Sequence, residues 1–136
     1  MEKQRPQVGV AVIVVKNNKV LLLRRTNSHG EGTWNFPGGH LEFNESLEDC
    51  SKRETLEESD ITIKNIKFAS LTNDVFKEKK KHYITIFMIS DWKSGEAKIM
   101  EPNKATNIGW FEWDNLPQPL FLTEESLLKQ GYNPFK

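Results

Sequence analysis

An α+β domain is the fold class this sequence predicts, and three observations predict it. Short runs rich in β-branched and aromatic residues alternate with polar turns. One long helical segment lies near the middle and one short one near the end. The chain of 136 residues is one domain's worth. We therefore expect a single domain over 1–136.

Val8–Val15 (VGVAVIVV) is nearly all apolar, as a strand buried on both faces would be. The polar KNNK of 16–19 turns the chain, and Val20–Arg24 returns as the second strand of a hairpin. Thr26–Thr33 is a loop with two glycines. Trp34–Pro37 then leads into Gly38-Gly39, where the chain can take a positive φ or approach another group closely. Ser46 to Ser59 reads as a helix opened by a capping-box-like Ser46 and Asp49. Ile61–Ser70 and Tyr83–Ser90 read as strands, with a polar loop or bent hairpin end over Thr72–His82. Lys93–Thr106 is a second loop, Asn107–Trp113 an aromatic-rich strand, and Leu116, Pro117 and Pro119 a stop. Thr123–Gln130 is a short helix with Gly131 at C′.

Nineteen basic residues balance nineteen acidic ones. This speaks against a general nucleic-acid coat or a polybasic membrane binder, which need a long-range positive field. The single cysteine, Cys50, excludes an intrachain disulfide and an all-cysteine zinc site. MEKQRPQ lacks signal-peptide form, and Val8–Val15 is shorter than the roughly 20 residues a bilayer span needs. A soluble, cytoplasmic protein with no membrane partner and no stable nucleic-acid partner is expected.

The long helix, SLEDCSKRETLEES, lacks a single apolar stripe. Leu47 and Leu56 are nine positions apart and point to opposite sides. Glu54, Glu57 and Glu58 share one face at i, i+3 and i+4. By themselves they fit a solvated acidic face, or a site for a hard divalent cation that takes oxygen ligands and shares substrate phosphates. Their surroundings favour the second. Gly39, Glu45, Arg53, Glu54, Glu57 and Glu58 stand in GHLEFNESLEDCSKRETLEESDI at the spacing Gly, five residues, Glu, seven residues, Arg-Glu, two residues, Glu-Glu. This resembles the signature of the Nudix (MutT-like) hydrolases. Two positions depart from it: Thr55 takes an apolar position, and Asp60 stands where the pattern has Gly. The resemblance continues from about Val8 to the C-terminus, through LTNDVFKE, HYITI, EPNK, WFEWDNLPQPLF and GYNPF. It is similar there to the small plant cytosolic members and to the mammalian thiopurine-nucleotide diphosphatase.

The resemblance implies an α/β/α sandwich with a mixed sheet, Mg²⁺ as cofactor with Mn²⁺ able to substitute, and a small-molecule nucleotide substrate. A homodimer is implied by analogy alone. Glu54, Glu57 and Glu58 would hold the cation with the backbone carbonyl of Gly38 or Gly39, and one glutamate or a metal-bound hydroxide would be the general base. Arg53 and Glu45 would orient the carboxylates. Glu42 and Glu48 read as solvated surface. Arg25 would bind phosphate or sit in a surface ion pair, and both readings stay open. His40 would touch phosphate or cap its loop. Asn35 and Thr85 match pocket positions of the subgroup. Phe121 and Leu122 would pack on a purine face. Glu124 and Glu125 read first as an ordinary acidic helix start, second as groups that read a base edge. Trp34, Trp110 and Trp113 read as core. His29 and His82 lack metal-ligand spacing. Lys77–Lys81 (KEKKK) reads as a solvated loop, with steering of an anionic substrate as the second reading.

The function so implied is Mg²⁺-dependent hydrolysis of nucleoside triphosphates, among them oxidised or modified purine nucleotides, to monophosphate and pyrophosphate. The alternatives are hydrolysis of another diphosphate (a pterin triphosphate, a prenyl diphosphate or ADP-ribose) or a non-catalytic binding module. Against ADP-ribose stands the expectation that its hydrolases carry an extra N-terminal domain. Against the binding module stands the complete glutamate set.

Overall fold

The strand β1 (Gln7–Lys16) organises the molecule. A computed structural model describes residues 3–136; Met1 and Glu2, where the expected domain begins, lie outside the described residues. Side chains alternate across a strand, and β1 is buried on both faces. Val10, Val12 and Val14 pack with Cys50, Ile61 and Ile63 on one face. Ala11 and Ile13 pack with Phe36, Phe87, Leu120 and Leu127 on the other. Full burial of each large aliphatic side chain is worth about 1.5–3 kcal/mol. Helix α1 (Leu47–Ser59) covers the first face through Cys50, and α2 (Leu122–Lys129) covers the second through Leu127. The result is the α/β/α sandwich that was expected.

Asn17 and Asn18 both adopt positive φ (51° and 62°) and join β1 to β2 (Lys19–Arg25) by a two-residue turn. Such a turn matches the strand twist, and asparagine tolerates it. Beyond Val15↔Val20, β1 and β2 separate. The chain from Trp34 to His40 fills the gap. Its β3 (Trp34–Asn35) pairs with β2, and its β4 (Gly38–His40) pairs with β1. The other edge of β1 pairs in parallel with β6 (Lys81–Ser94), β6 pairs with β5 (Thr62–Phe76), and β2 pairs with β7 (Ala105–Glu112). The sheet is therefore mixed.

Of the two readings of the polar segment 72–82, a loop or a hairpin end, the structure shows the hairpin end. The β5–β6 ladder runs on through Thr72↔Thr85, Asp74↔Tyr83 and Phe76↔Lys81, and only a 3₁₀ turn at Lys77–Lys79 and Lys80 separates the strands. Thr72 and Asp74 are polar yet buried. They face α2, where Ser126 Oγ donates to Asp74 Oδ1. Cross-strand pairing and packing on the helix override the low strand propensity of these residues.

Helix α1 begins at Ser46, whose Oγ accepts from the Asp49 N–H at 3.0 Å. It ends at Asp60 in the left-handed conformation (φ 62°), with the Asp60 N–H bonded to the Leu56 C=O. Asp60 thus does the work of the motif glycine, and Lys98 at 3.3 Å offsets its charge at the helix C-terminus. As expected, α1 has no apolar stripe: Leu56 is 48% exposed. Its buried row is Ser51, Thr55 and Ser59. Ser51 and Ser59 return their hydroxyls to the Leu47 and Thr55 carbonyls. The buried Thr55 Oγ1 has no partner.

An unsatisfied buried hydroxyl costs about 1–3 kcal/mol. Thr55→Val keeps the shape and removes it, so the variant is expected to unfold with a free energy about 1 kcal/mol higher in urea titration. A loss of stability would contradict this account of the helix.

Candidate functional site

The separation of β1 and β2 opens a cavity of about 550 Å³. Its size is that of a small-molecule site. One end is formed by the contact between β4 and α1. The Val12 N–H donates to the Pro37 C=O, and the Leu41 N–H to the Val8 C=O. Antiparallel pairing alternates, so Gly39, opposite Val10, turns its peptide groups toward β1, while Gly38 and His40 turn theirs toward α1. The side-chain bonds agree. The Gly38 N–H donates to Glu58 Oε1 at 2.9 Å, and the His40 C=O accepts from Arg53 Nη2 at 3.2 Å.

Neither glycine needs a positive φ here; close approach decides. A Cβ on Gly38 would overlap the Val10 carbonyl oxygen, and a Cβ on Gly39 would overlap the Glu54 carboxylate. The two glycines let the strand lie directly on the carboxylates of α1.

Arg53 holds those carboxylates. Its Nε and Nη2 clamp both oxygens of Glu45 at 2.7 and 2.9 Å, its Nη1 reaches Glu54 Oε1 at 2.6 Å, and Glu57 Oε2 lies at 3.4 Å. The Arg53 hydrogen bonds pull the Glu45 carboxyl down to about 2, and the same pairing raises Arg53 itself. Burial acts in the opposite direction on Glu58, pushing it up to about 8, and raises Glu54 as well. Glu42 and Glu48 are exposed, as expected.

A hard divalent cation fits this end. Glu54, Glu57, Glu58 and the outward Gly38 carbonyl are all oxygen donors. Glu58 is a half-buried carboxylate whose ionised form is disfavoured by desolvation and gains from a positive neighbour, and the absence of a side chain at Gly39 leaves room for the Glu54 carboxylate. Among the described residues no three metal-capable side chains already converge on one point, because Arg53 and Gly38 hold Glu54 and Glu58.

The opposite end is aromatic. The Trp34 N–H donates to the Pro119 C=O, and the Phe121 N–H to the Trp34 C=O. This parallel bridge places Phe121 in the cavity wall. Phe121 is only 8% exposed. It stacks against Phe76 at 5.4 Å, meets His29 edge-on at 5.3 Å and lies under the Arg25 guanidinium at 4.1 Å. It is part of the cavity wall, packed between Phe76 and the Arg25 guanidinium. Leu122 opens α2 outside the cavity lining, since the chain has already turned away into the helix.

Arg25 lines the cavity, and it does so without the surface ion pair that was one of its two expected roles. No ion pair among the described residues involves it. Its Nε donates to the His29 C=O at 3.0 Å and its Nη2 to Ser28 Oγ at 3.3 Å. With the Asn35 amide turned to satisfy both neighbours, Nη1 donates to the Asn35 oxygen at 2.9 Å, and the Asn35 nitrogen donates to the Leu23 C=O. Arg25 pins the 26–33 loop over the cavity. His40 and Thr85 line the cavity; His40 Nε2 bonds to the Tyr83 hydroxyl at 2.8 Å.

Sequence reasoning missed Tyr83, Phe76 and His29 as cavity residues. Tyr83 was findable, because it shares a strand face with Thr85. Glu124 departs from the first of its two expected readings: it is not a solvated helix start like Glu125 but a cavity-lining carboxyl, 3% exposed. It accepts from Thr123 Oγ1 and from the Phe36 N–H. Trp34, Trp110 and Trp113 pack on the core, as expected. Among the described residues no helix is long and apolar enough to cross a membrane.

These features define a class: an α/β/α domain whose cavity joins an oxygen-donor end to an aromatic end. The particular family follows from comparison. The NUDIX domain matches residues 5–130, and the chain belongs to that family. It is 32% identical over 124 residues to an ADP-ribose pyrophosphatase of Methanocaldococcus jannaschii, covering 91% of this chain and 72% of that protein. It is 31% identical over 118 residues to an NAD-capped RNA hydrolase, NudC, of Pectobacterium atrosepticum, covering 86% of this chain. The chain spans only 44% of that relative's length. A MutT NUDIX hydrolase from Burkholderia pseudomallei superposes with a TM-score of 0.85 at 28% identity, covering 92% of this chain and 98% of that one. The NUDIX domain of Shewanella oneidensis NrtR, solved with ADP ribose, shares the fold with a TM-score of 0.76 at 20% identity, covering 95% and 88%.

Burial pushes Glu124 up to about 7 from an ordinary 4.5. The folded state thus favours its neutral form. That contribution is complete below about pH 4.5 and is lost as the pH rises through 7. Glu124→Gln mimics the neutral form at every pH. The melting temperature of the variant relative to wild type should therefore rise between pH 5 and pH 8. A difference that stays constant across this range would contradict the assignment.

Proposed function

We propose that this protein is a Mg²⁺-dependent hydrolase of a nucleoside phosphoanhydride, with nucleoside triphosphates cleaved to monophosphate and pyrophosphate as the leading substrates. Mn²⁺ would substitute for Mg²⁺. The observation that carries the reading is one cavity bounded by Glu58 at one end and by the Phe76–Phe121–His29 wall at the other. Phosphates at the first end and a nucleoside toward the second fit a single ligand. The likeness of the sequence to the small plant and thiopurine-nucleotide members supports triphosphates.

Glu54, Glu57, Glu58 and the Gly38 carbonyl would hold the cation, which when bound neutralises phosphate oxygens and brings water to the phosphorus. Arg53 is a positioning residue. Its fork fixes Glu45 and Glu54, so the helix presents its carboxylates without reorganisation during reaction. Glu57, with a side chain 50% exposed, is the least constrained of the three and is suited to take a proton from the attacking water on Oε1 or Oε2. Tyr83 OH and His40 stand at the cavity edge, where they can orient phosphate oxygens.

A second reading is hydrolysis of ADP-ribose or another dinucleotide diphosphate. The named relatives favour it. The expected objection, an extra N-terminal domain, weighs less against this reading because the ADP-ribose pyrophosphatase is matched over 72% of its length. The complete glutamate set supports catalysis over a purely binding role. We also propose that residues 1–136 form one NUDIX domain acting in the cytoplasm, and that a homodimer forms by analogy with the family.

Glu57→Gln and Glu58→Gln are each expected to lower kcat by about 10²–10³-fold, with the circular dichroism spectrum unchanged. Near-wild-type turnover in either variant would contradict the metal assignment. Product analysis on triphosphates, ADP-ribose and geranyl diphosphate separates the readings. Pyrophosphate released from a triphosphate supports the first; AMP and ribose phosphate formed from ADP-ribose alone supports the second.

A further inference from the structure

His29 stands in the aromatic wall with one ring nitrogen closed in and the other open. It belongs to the 26–33 loop and lines the cavity. Its ring meets Phe76 edge-on at 5.0 Å and Phe121 at 5.3 Å. Its backbone carbonyl accepts from Arg25 Nε at 3.0 Å. Ring and backbone are therefore both held in place. Among the described residues neither ring nitrogen has a hydrogen-bond partner; Nδ1 is sealed from solvent, and Nε2 is not. A proton on Nδ1 would be a buried donor with nothing to receive it, a costlier fault than an idle lone pair. The proton therefore belongs on Nε2, the nitrogen open to the cavity. Burial first, and then Arg25, Lys81 and Lys79, lower the ring from an ordinary 6.5 to about 4, so it is neutral at pH 7. The neighbouring donors are engaged inside the protein. Arg25 gives Nε, Nη2 and Nη1 to His29, Ser28 and Asn35, and Asn27 gives its amide to the Asn103 C=O.

We infer that His29 is a specificity-determining residue, which donates a hydrogen bond from Nε2 to an acceptor on the base of the substrate. This rests on the nucleotide reading above and adds to it the group that tells one base edge from another. A neutral N–H suits a ring nitrogen or a carbonyl oxygen. A phosphate is better matched by the imidazolium form, which this site disfavours. Because Phe76 and Phe121 fix the ring, the donor is in place before a base arrives, and little ordering is left for binding to oppose. A base with no acceptor at that point would strip water from Nε2 and leave it unpaired. Such a mismatch discriminates more strongly than a lost apolar contact does. The phenylalanines would thus favour any flat ring, and His29 would select the edge that enters. The competing reading is that His29 only packs, as a third ring of the wall; phenylalanine would then serve equally well at position 29.

The test has two arms. The first needs no ligand: a ¹⁵N-edited NMR spectrum of the histidine rings at pH 7, with the His29 signals identified by their loss in His29→Phe. It should show a neutral ring protonated on Nε2. A ring protonated on Nδ1, or on both nitrogens, would overturn the role. The second arm is kinetic and compares wild type with His29→Phe, which keeps an aromatic ring beside Phe76 and Phe121 and removes the donor. With Mg²⁺ present, kcat/KM is measured for ATP and GTP and for analogues lacking one acceptor each. These are the 1-, 3- and 7-deaza forms of ATP, the 3- and 7-deaza forms of GTP, and the 2-aminopurine nucleotide, which lacks O6. One analogue should fall about tenfold below its parent in wild type, and that gap should close in the variant. His29→Gln, which still offers an N–H, should keep part of it. No gap in wild type, or a gap of the same size in His29→Phe, would overturn the role and leave the nucleotide reading intact. Absence of turnover for ATP and GTP alike would overturn the triphosphate reading, and the role of His29 with it.

Discussion

The Arg53 guanidinium ties Glu45, Glu54 and the His40 carbonyl to one point, and the site depends on that tie. Three charged groups on one helix face would otherwise repel. Arg53 converts that repulsion into a network in which one carboxylate is clamped by two nitrogens and the next by a third. The network also reaches across to β4, so helix and strand are fixed relative to each other. Only glycine at 38 and 39 permits the approach, because a methyl group at either position would overlap a carbonyl or a carboxylate. The Gly38 N–H then adds its own bond to Glu58. Burial, which makes the ionised form of Glu58 costly, is what gives a cation its advantage there.

The fold supplies this arrangement through a defect in its sheet. β1 and β2 begin as a tight hairpin and then part, and the chain from Trp34 to His40 crosses between them. That crossing carries the glycines to α1 and hands Trp34 to the segment around Pro119. The two ends of the cavity are therefore built by consecutive residues. The carboxylate end and the aromatic wall hang on opposite ends of one short segment, which is how a small domain holds both parts of a nucleotide-sized ligand.

The parts legible in the sequence were those governed by local rules. β-branched runs gave β1 and the core of β6, the Asn-Asn turn gave the hairpin, and the fixed spacing of Gly39, Glu45, Arg53, Glu54, Glu57 and Glu58 gave the carboxylate end. The parts not legible depend on contacts between distant segments. Thr72 and Asp74 fit a loop as well as a hairpin end until β6 and α2 are seen to pack on them. Glu124 looks like a helix-start acid until Phe36, 88 positions earlier, donates to it. Arg25 could equally form a surface ion pair until its bonds to the 26–33 loop are seen. Phe121 shows its place in the cavity wall only once Phe76 and Arg25 are found against it. In each case the identity of the residue was plain, and its partner was not.

The central claim is that α1 and β4 together make the cation site. The most direct measurement is paramagnetic broadening of amide signals by substoichiometric Mn²⁺ in a heteronuclear NMR spectrum of the full chain. The account predicts selective loss of the Gly38, Gly39, Glu54, Glu57 and Glu58 signals, reversed by excess Mg²⁺, with the Lys77–Lys81 turn retained. Broadening centred elsewhere, or spread evenly over the acidic surface, would contradict it.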